Sequence, residues 1–116
     1  MPKRSNPAST VVAELILRPA AEADLADLYH YIAEFSGSHE IAIGYIRRIR
    51  ARCENLLAFP ESGRRHDDLR RDLRIIGFER RVMIAYIVLP AGDVEIGRIL
   101  YGGQNYEVLL GDYKGT

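Results

Sequence analysis

Hydrophobic residues along the chain occur in clusters whose spacing changes from that of a strand to that of a helix. Residues 11–17 read VVAELIL, an apolar and partly β-branched run that predicts a strand. Pro19 ends this run and suits the first turn of a following helix. Apolar residues then recur every three or four positions, which predicts an amphipathic helix with its stripe at Ala21, Leu25, Leu28, Ile32 and Phe35.

A second helix is predicted directly after the first. Gly37 is expected to end helix one, and Ser38 is expected to cap the N-terminus of helix two. Pro60 is expected to end helix two, whose predicted apolar stripe is Ala42, Tyr45, Ile46, Ile49, Cys53, Leu56 and Leu57. Because the connection is so short, the two helices are expected to pack as an αα-hairpin.

Strand-like runs fill most of the remaining chain. Residues 61–72 are polar and predict a loop, after which strands are expected at 73–78, 81–89 and 94–101. Their short turns at 79–80 and 90–93 predict antiparallel pairing. The expected fold is therefore α+β, in the order β-α-α-β-β-β, with the αα-hairpin on one face of an antiparallel-rich sheet. We expect one domain at residues 11–110, a flexible extension at 1–10 and a tail at 111–116.

The strand predicted at 81–89 is apolar on both of its faces. Val82, Ile84 and Tyr86 alternate with Met83, Ala85 and Ile87, although a two-layer fold of this size needs only one apolar face. Two interpretations stay open. Either a partner chain covers the second face, or the strand lies at the centre of the sheet and its outer face is modestly apolar.

Composition narrows the classes of function. The 116 residues contain 16 basic and 16 acidic side chains, which excludes a strongly basic nucleic-acid-binding chain but not a local basic patch. Cys53 is the only cysteine and the three histidines are scattered, so we expect no disulfide, no metal site and no cofactor. Neither a secretory signal nor a membrane span is recognisable, which makes the cytoplasm the expected compartment.

Several motifs in order resemble a known family. The most specific is the exit of helix two, Phe59-Pro60-x-x-Gly63-Arg64. The opening strand and helix, helix two and the strand patterns support it, at residues 17–33, 42–52, 73–76, 84–88 and 94–101. Over about residues 15–110, the chain resembles the ParE branch of the RelE/ParE toxins of bacterial toxin–antitoxin modules.

The resemblance implies a toxin that a cognate ParD-like antitoxin neutralises in a hetero-oligomer. For the ParE branch it implies inhibition of DNA gyrase by binding, without chemistry of the toxin's own and without sequence-specific binding to nucleic acid. For the RelE branch it implies ribosome-dependent cleavage of mRNA. An inactive module that binds only the antitoxin is a third alternative.

Particular residues bear on this choice. RNA cleavage needs groups that move protons and stabilise charge, and a RelE-like site would use Arg74, Arg81, Arg98 and Tyr101. Met83 stands where such a toxin would carry an arginine, and the run Gly102-Gly103-Gln104-Asn105 supplies no cation, which weakens the ribonuclease interpretation. Tyr101 also replaces the histidine that commonly ends the last strand of the ParE branch.

Seven residues are predicted to contact a target or the antitoxin. They are Arg74, Arg81, Met83, Arg98, Tyr101, Gln104 and Asn105. Arg74 and Arg98 have an alternative role as internal braces of the sheet, and Tyr86 is expected to lie in the core.

Overall fold

The computed structural model describes residues 12–102. Its elements are β1 (Leu15–Leu17), α1 (Pro19–Ser36), α2 (His39–Asn55), β2 (Arg64–Arg65), β3 (Arg74–Phe78), β4 (Val82–Val88) and β5 (Val94–Tyr101). The predicted extension at 1–10, the predicted tail at 111–116, and the site candidates Gln104 and Asn105 lie outside the described residues.

The strands form one sheet in the order β1-β5-β4-β3-β2. β1 pairs with β5 in parallel, and the other neighbours pair antiparallel. Both helices pack on one face of this sheet, where Leu25, Ile49 and Cys53 join Ile84 and Tyr86 in the main core. The predicted α+β order is confirmed, with β2 as an additional short strand.

The junction between the helices follows the sequence signals. Gly37 adopts a left-handed φ of 71°, and its N–H donates to the Ala33 carbonyl at 2.9 Å. Ser38 Oγ then accepts the Ile41 N–H at 3.1 Å. The end predicted for helix two at Pro60 is wrong, because α2 ends at Asn55 and the chain leaves it through tighter turns.

The segment predicted as a loop at 61–72 contains β2. Arg64 and Arg65 pair with Ile75 and Arg74 and extend the sheet by one strand, so the plain-loop prediction is wrong for these residues. The following turn is held by the Arg65 guanidinium, which donates to Asp67 and Asp72. The bond from Arg65 lowers the pKa of the Asp67 carboxyl to about 2.

The second face of the sheet is covered within the chain. β4 lies at the centre, and Ile75, Ala85, Ile87 and Leu100 are at most 7% exposed. Leu69 and Leu89, from the segments before β3 and after β4, pack against this cluster. Of the two interpretations of the apolar strand, the central position is therefore correct, because the centre of this face is buried without a partner chain.

Cys53 gives a prediction about reactivity and pH. Its side chain is completely buried in the core, and burial raises the pKa of the thiol to about 12. We expect no reaction with Ellman's reagent at mildly alkaline pH until a denaturant unfolds the chain. Because the unfolded thiol titrates near about pH 8.5, the free energy of unfolding should fall as pH rises from there towards 12.

Rapid labelling of Cys53 in the native chain, with the circular dichroism of the folded state unchanged, would contradict the burial of this thiol. Urea unfolding at neutral and alkaline pH measures the expected fall in the free energy of unfolding.

Candidate functional site

A bulge in β5 positions Arg98 against helix α1. Ala85 pairs with Arg98 but the next residue, Tyr86, pairs with Ile96, so Gly97 is the extra residue. Asp24 of α1 meets the guanidinium with two bonds, from Nε at 2.8 Å and from Nη2 at 3.0 Å. This bidentate contact raises the pKa of Arg98 further above its already high value.

The same carboxylate also accepts a backbone bond. Beyond the end of β1, the outer edge of β5 has no neighbouring strand among residues 12–102. The Ile99 N–H at this edge donates to Asp24 Oδ2 at 2.8 Å. Arg98 is thus an internal brace that ties α1 to the sheet.

The exit of helix two is held by a second internal network. The Tyr86 hydroxyl donates to the Pro60 carbonyl at 2.7 Å and accepts the Gly63 N–H at 2.8 Å. Arg74 Nη1 donates to the Gly63 carbonyl at 2.8 Å. A Cβ at Gly63 would lie 2.8 Å from the Tyr86 ring, so only glycine fits there. Pro60 and Gly63 of the Phe-Pro-x-x-Gly motif therefore have a structural role, because their hydrogen bonds to Tyr86 fix the exit of helix two.

Five aromatic rings form a continuous row across the end of the molecule where α1 and β5 finish. We call it the aromatic row; in order it comprises Phe35, Tyr31, Tyr101, Tyr45 and Phe78. Successive ring centroids are 6.1, 5.5, 6.5 and 5.7 Å apart. Near the Phe78 end of the row, the Arg48 guanidinium lies over the Tyr45 ring, 5.1 Å from its centroid.

The other end of the aromatic row is open to solvent. Phe35 is 84% exposed and Tyr31 is 52% exposed. The prediction that Phe35 belongs to the buried stripe of helix one is therefore wrong, because α1 extends beyond the part of the sheet that it covers. Large aromatic side chains exposed side by side are typical of a surface that binds a partner.

A groove of about 190 Å³ lies beside this open end. Its walls come from α1 and β5, and its lining residues are Asp24, Asp27, Leu28, Tyr31, Ile99 and Tyr101. Two aromatic rings and two aliphatic side chains thus share the groove with two carboxylates. Asp24 already binds Arg98 and the Ile99 N–H, so a segment docking here would meet apolar side chains and the carboxylate of Asp27.

A comparison with models of protein families identifies one family that matches most of this chain. The model described as the ParE toxin of the type II toxin–antitoxin system parDE matches residues 15–106. The chain belongs to the ParE toxin family. It is accordingly a ParE-type toxin of a type II toxin–antitoxin system.

A solved structure agrees at the level of the fold. A chain of the chromosomal ParDE toxin–antitoxin system from P. aeruginosa aligns with a TM-score of 0.67 and 22% sequence identity. The alignment covers 78% of this chain and 97% of that chain. A search of curated proteins gives no match. Within residues 12–102, neither helix has the length and apolar character needed to cross a membrane.

The predicted site residues of this ParE-family chain do not form one cluster. Arg81 and Tyr101 lie together, since the Gly102 N–H donates to the Arg81 carbonyl at 2.9 Å and Tyr101 pairs with Val82. Met83 packs with the cluster on the opposite face of the sheet. The other two arginines of the predicted site are Arg74 and Arg98. Each belongs to one of the two separate internal networks described above.

Sequence reasoning missed most of the aromatic row. Tyr31 and Phe35 are four residues apart on α1, a spacing that places both on the same helix face. This signal was available, but Phe35 was also compatible with the apolar stripe. Tyr45 and Phe78 join the row only through tertiary packing, so no local pattern could indicate them.

Proposed function

We propose that this ParE-type toxin inhibits DNA gyrase by binding and that a ParD-like antitoxin neutralises it in a hetero-oligomer. The observation that carries the proposal is the family match over residues 15–106. The fold shared with a chain of the P. aeruginosa ParDE system supports it. Because gyrase acts in the cytoplasm, the same proposal places the toxin there.

The arrangement of the arginines favours binding over catalysis. A ribonuclease would need Arg74, Arg81, Arg98 and Tyr101 to converge on one phosphodiester. Arg74 instead braces the exit of helix two, and Arg98 is paired with Asp24. The centre of the sheet face that carries Met83 is apolar, with Ile75, Ala85 and Ile87 packed together. We therefore retain mRNA cleavage only as the alternative that an experiment must exclude.

The target-binding corner is proposed to comprise Arg81 and Tyr101 with the following residues Gln104 and Asn105. Arg81 is exposed directly before β4, where it can meet a carboxylate or a phosphate. Tyr101 lies at the end of the same pair of strands. Arg81 and Tyr101 are the described members of the predicted site whose backbones lie near each other.

A cleavage assay with purified gyrase, supercoiled plasmid and ATP tests the target. We expect linear DNA that depends on the toxin and disappears when the antitoxin is added. Arg81→Ala should reduce the linear product, whereas Arg71→Ala, an exposed arginine on the segment before β3, should leave it unchanged.

No linear DNA from a folded, antitoxin-binding toxin would overturn the gyrase proposal. New transcript ends at the ribosomal A site would then identify a ribonuclease. Absence of both effects would identify an inactive module that binds the antitoxin alone.

The antitoxin is proposed to cover the open end of the aromatic row and the groove beside it. Phe35→Ala is expected to weaken antitoxin binding at least about tenfold, because exposed aromatic side chains often dominate an interface. Folding should be nearly unaffected, since this ring is 84% exposed. Titration calorimetry with the antitoxin measures the affinity, and thermal unfolding measures stability.

Phe59→Ala is the matched control for that prediction. Phe59 is 61% exposed but lies at the exit of helix two, away from the aromatic row. Equal losses of affinity for both variants would contradict the proposed antitoxin surface.

A further inference from the structure

Strand β1 is an edge of the sheet with an unpaired outer side within the described part of the chain. Its inner side pairs with β5, through bonds from Val94 N–H to the Glu14 carbonyl and from Arg18 N–H to the Ile96 carbonyl, both at 3.0 Å. Because backbone groups alternate along a strand, Leu15 and Leu17 direct their N–H and C=O groups to the outer side. An edge of this kind can accept another strand.

The side chains of β1 divide between two faces. Leu15 and Leu17 pack on the main core beneath the helices. Glu14, Ile16 and Arg18 alternate with them and lie on the other face. Ile16, the middle residue of β1, is 36% exposed, and Val12 just before the strand is 52% exposed.

This edge is complementary to a second copy of itself. If two β1 strands pair antiparallel about Ile16, Leu15 of one copy faces Leu17 of the other. Both residues direct their backbone groups outward, so each such pair exchanges two hydrogen bonds. Ile16 then faces Ile16 of the second copy as a non-hydrogen-bonded pair, in which side chains lie closest.

The charges on β1 fit the same register. The antiparallel arrangement about Ile16 places Glu14 opposite Arg18 of the second copy, once on each side of the symmetry axis. Arg18 uses Nη1 to reach Glu95 at 3.2 Å, and its guanidinium carries further N–H donors. Opposite charges facing each other across strands stabilise a pair, and like charges oppose it.

Pro19 limits the length of the ladder. It has no N–H and it begins α1, so pairing cannot continue past the end of β1. A slip in register would lose bonds from Leu15 or Leu17 and would separate Glu14 from Arg18. The edge therefore specifies one register for a second copy.

We propose that the toxin forms a symmetric dimer in which two β1 strands pair antiparallel about Ile16. The five strands of each copy then join into one continuous sheet. The ladder is short, so the interface falls below the size of about 1,200 Å² that stable complexes bury. The dimer is accordingly expected to be weak and to form as the protein concentration rises. The proposal does not depend on the identity of the toxin's target.

Cross-linking through an introduced cysteine tests the symmetry axis. In the Ile16→Cys variant the two new thiols would face each other, at a Cβ separation of about 4.5–5.5 Å that approaches disulfide geometry. Cys53 is buried, with a pKa raised to about 12, and does not compete. Incubation of the full chain with oxidised glutathione is expected to give a covalent dimer.

Ile41→Cys is the matched control, because Ile41 is 57% exposed on α2 and far from β1 in the chain. It should give covalent dimer at least tenfold more slowly than Ile16→Cys under the same conditions. Equal rates for the two variants would overturn the proposal.

Sedimentation velocity provides a measurement without covalent capture. The unmodified chain should show a mean mass that rises with concentration, and Ile16→Asp should raise the dissociation constant at least tenfold by opposing two carboxylates at the axis. Ile41→Asp should leave it unchanged, and circular dichroism should confirm folding of both variants. A chain that stays monomeric, a dimer unaffected by Ile16→Asp, or transfer of the Ile16→Cys cross-link to a co-purified antitoxin would each overturn the dimer.

Discussion

Replacing Tyr86 with alanine is expected to lower the free energy of unfolding by about 3–5 kcal/mol. The ring is completely buried in the main core at the centre of the sheet. Its loss would leave a cavity and would also remove the hydroxyl that links Pro60 to Gly63. Since a domain of this size is stable by only about 5–15 kcal/mol, urea unfolding should show a large shift of the midpoint.

Tyr86→Phe separates the hydroxyl from the ring. It should cost about 1–3 kcal/mol, because the Gly63 N–H, buried at this exit, loses its acceptor. The matched control is Tyr31→Phe, which removes a hydroxyl from a ring that is 52% exposed and should change stability by less than about 0.5 kcal/mol. Equal effects of the two phenylalanine variants would contradict a stabilising role of the Tyr86 hydroxyl at the exit of helix two.

Replacing Asp24 with alanine is expected to cost about 2–4 kcal/mol of stability, somewhat less than breaking a fully buried ion pair. The Asp24 and Arg98 side chains are 13% and 26% exposed, so solvent screens the pair only in part. The variant leaves both the Arg98 guanidinium and the Ile99 N–H without the carboxylate that they share. Chemical unfolding of the variant and the parent chain measures the difference.

Glu22→Gln is the control on the same helix. Glu22 pairs with Arg50 at 2.8 Å, but both side chains are about half exposed, so its loss should cost at most about 1 kcal/mol. Adding Arg98→Met to Asp24→Ala should recover part of the loss, because no unpaired charge then remains. A cost for Asp24→Ala no larger than that for Glu22→Gln would show that the Arg98 brace is not important for folding.

Local signals predicted most of the secondary structure. Gly37 ends α1 and Ser38 caps α2, since both effects need only the backbone conformation and the side chain of one residue. The turn at Glu79 and Arg80 also lies where it was expected, with both residues at positive φ. Signals of this kind can be read along the chain because their causes lie within a few residues of their effects.

Errors occurred where distant segments decide the outcome. β2 exists because Arg64 and Arg65 meet the edge of β3, and nothing in those two residues alone favours a strand. Phe35 continues the apolar period of α1 but extends past the sheet, so its exposure depends on where the sheet ends. The choice between the two roles considered for Arg74 and Arg98 stayed open in the sequence, because it depends on which carbonyl or carboxylate folding brings to them.

The sequence by itself determined the order of the elements, the junction of the two helices and the resemblance to the ParE family, because periodicity, caps and motifs are local properties. Only the tertiary structure decided that the second face of the sheet is covered within the chain and that the aromatic row opens at Phe35. It also decided that Arg74 and Arg98 are engaged as internal braces. Each of these depends on contacts between residues far apart in the chain, whose geometry is fixed only when the helices and the sheet pack together.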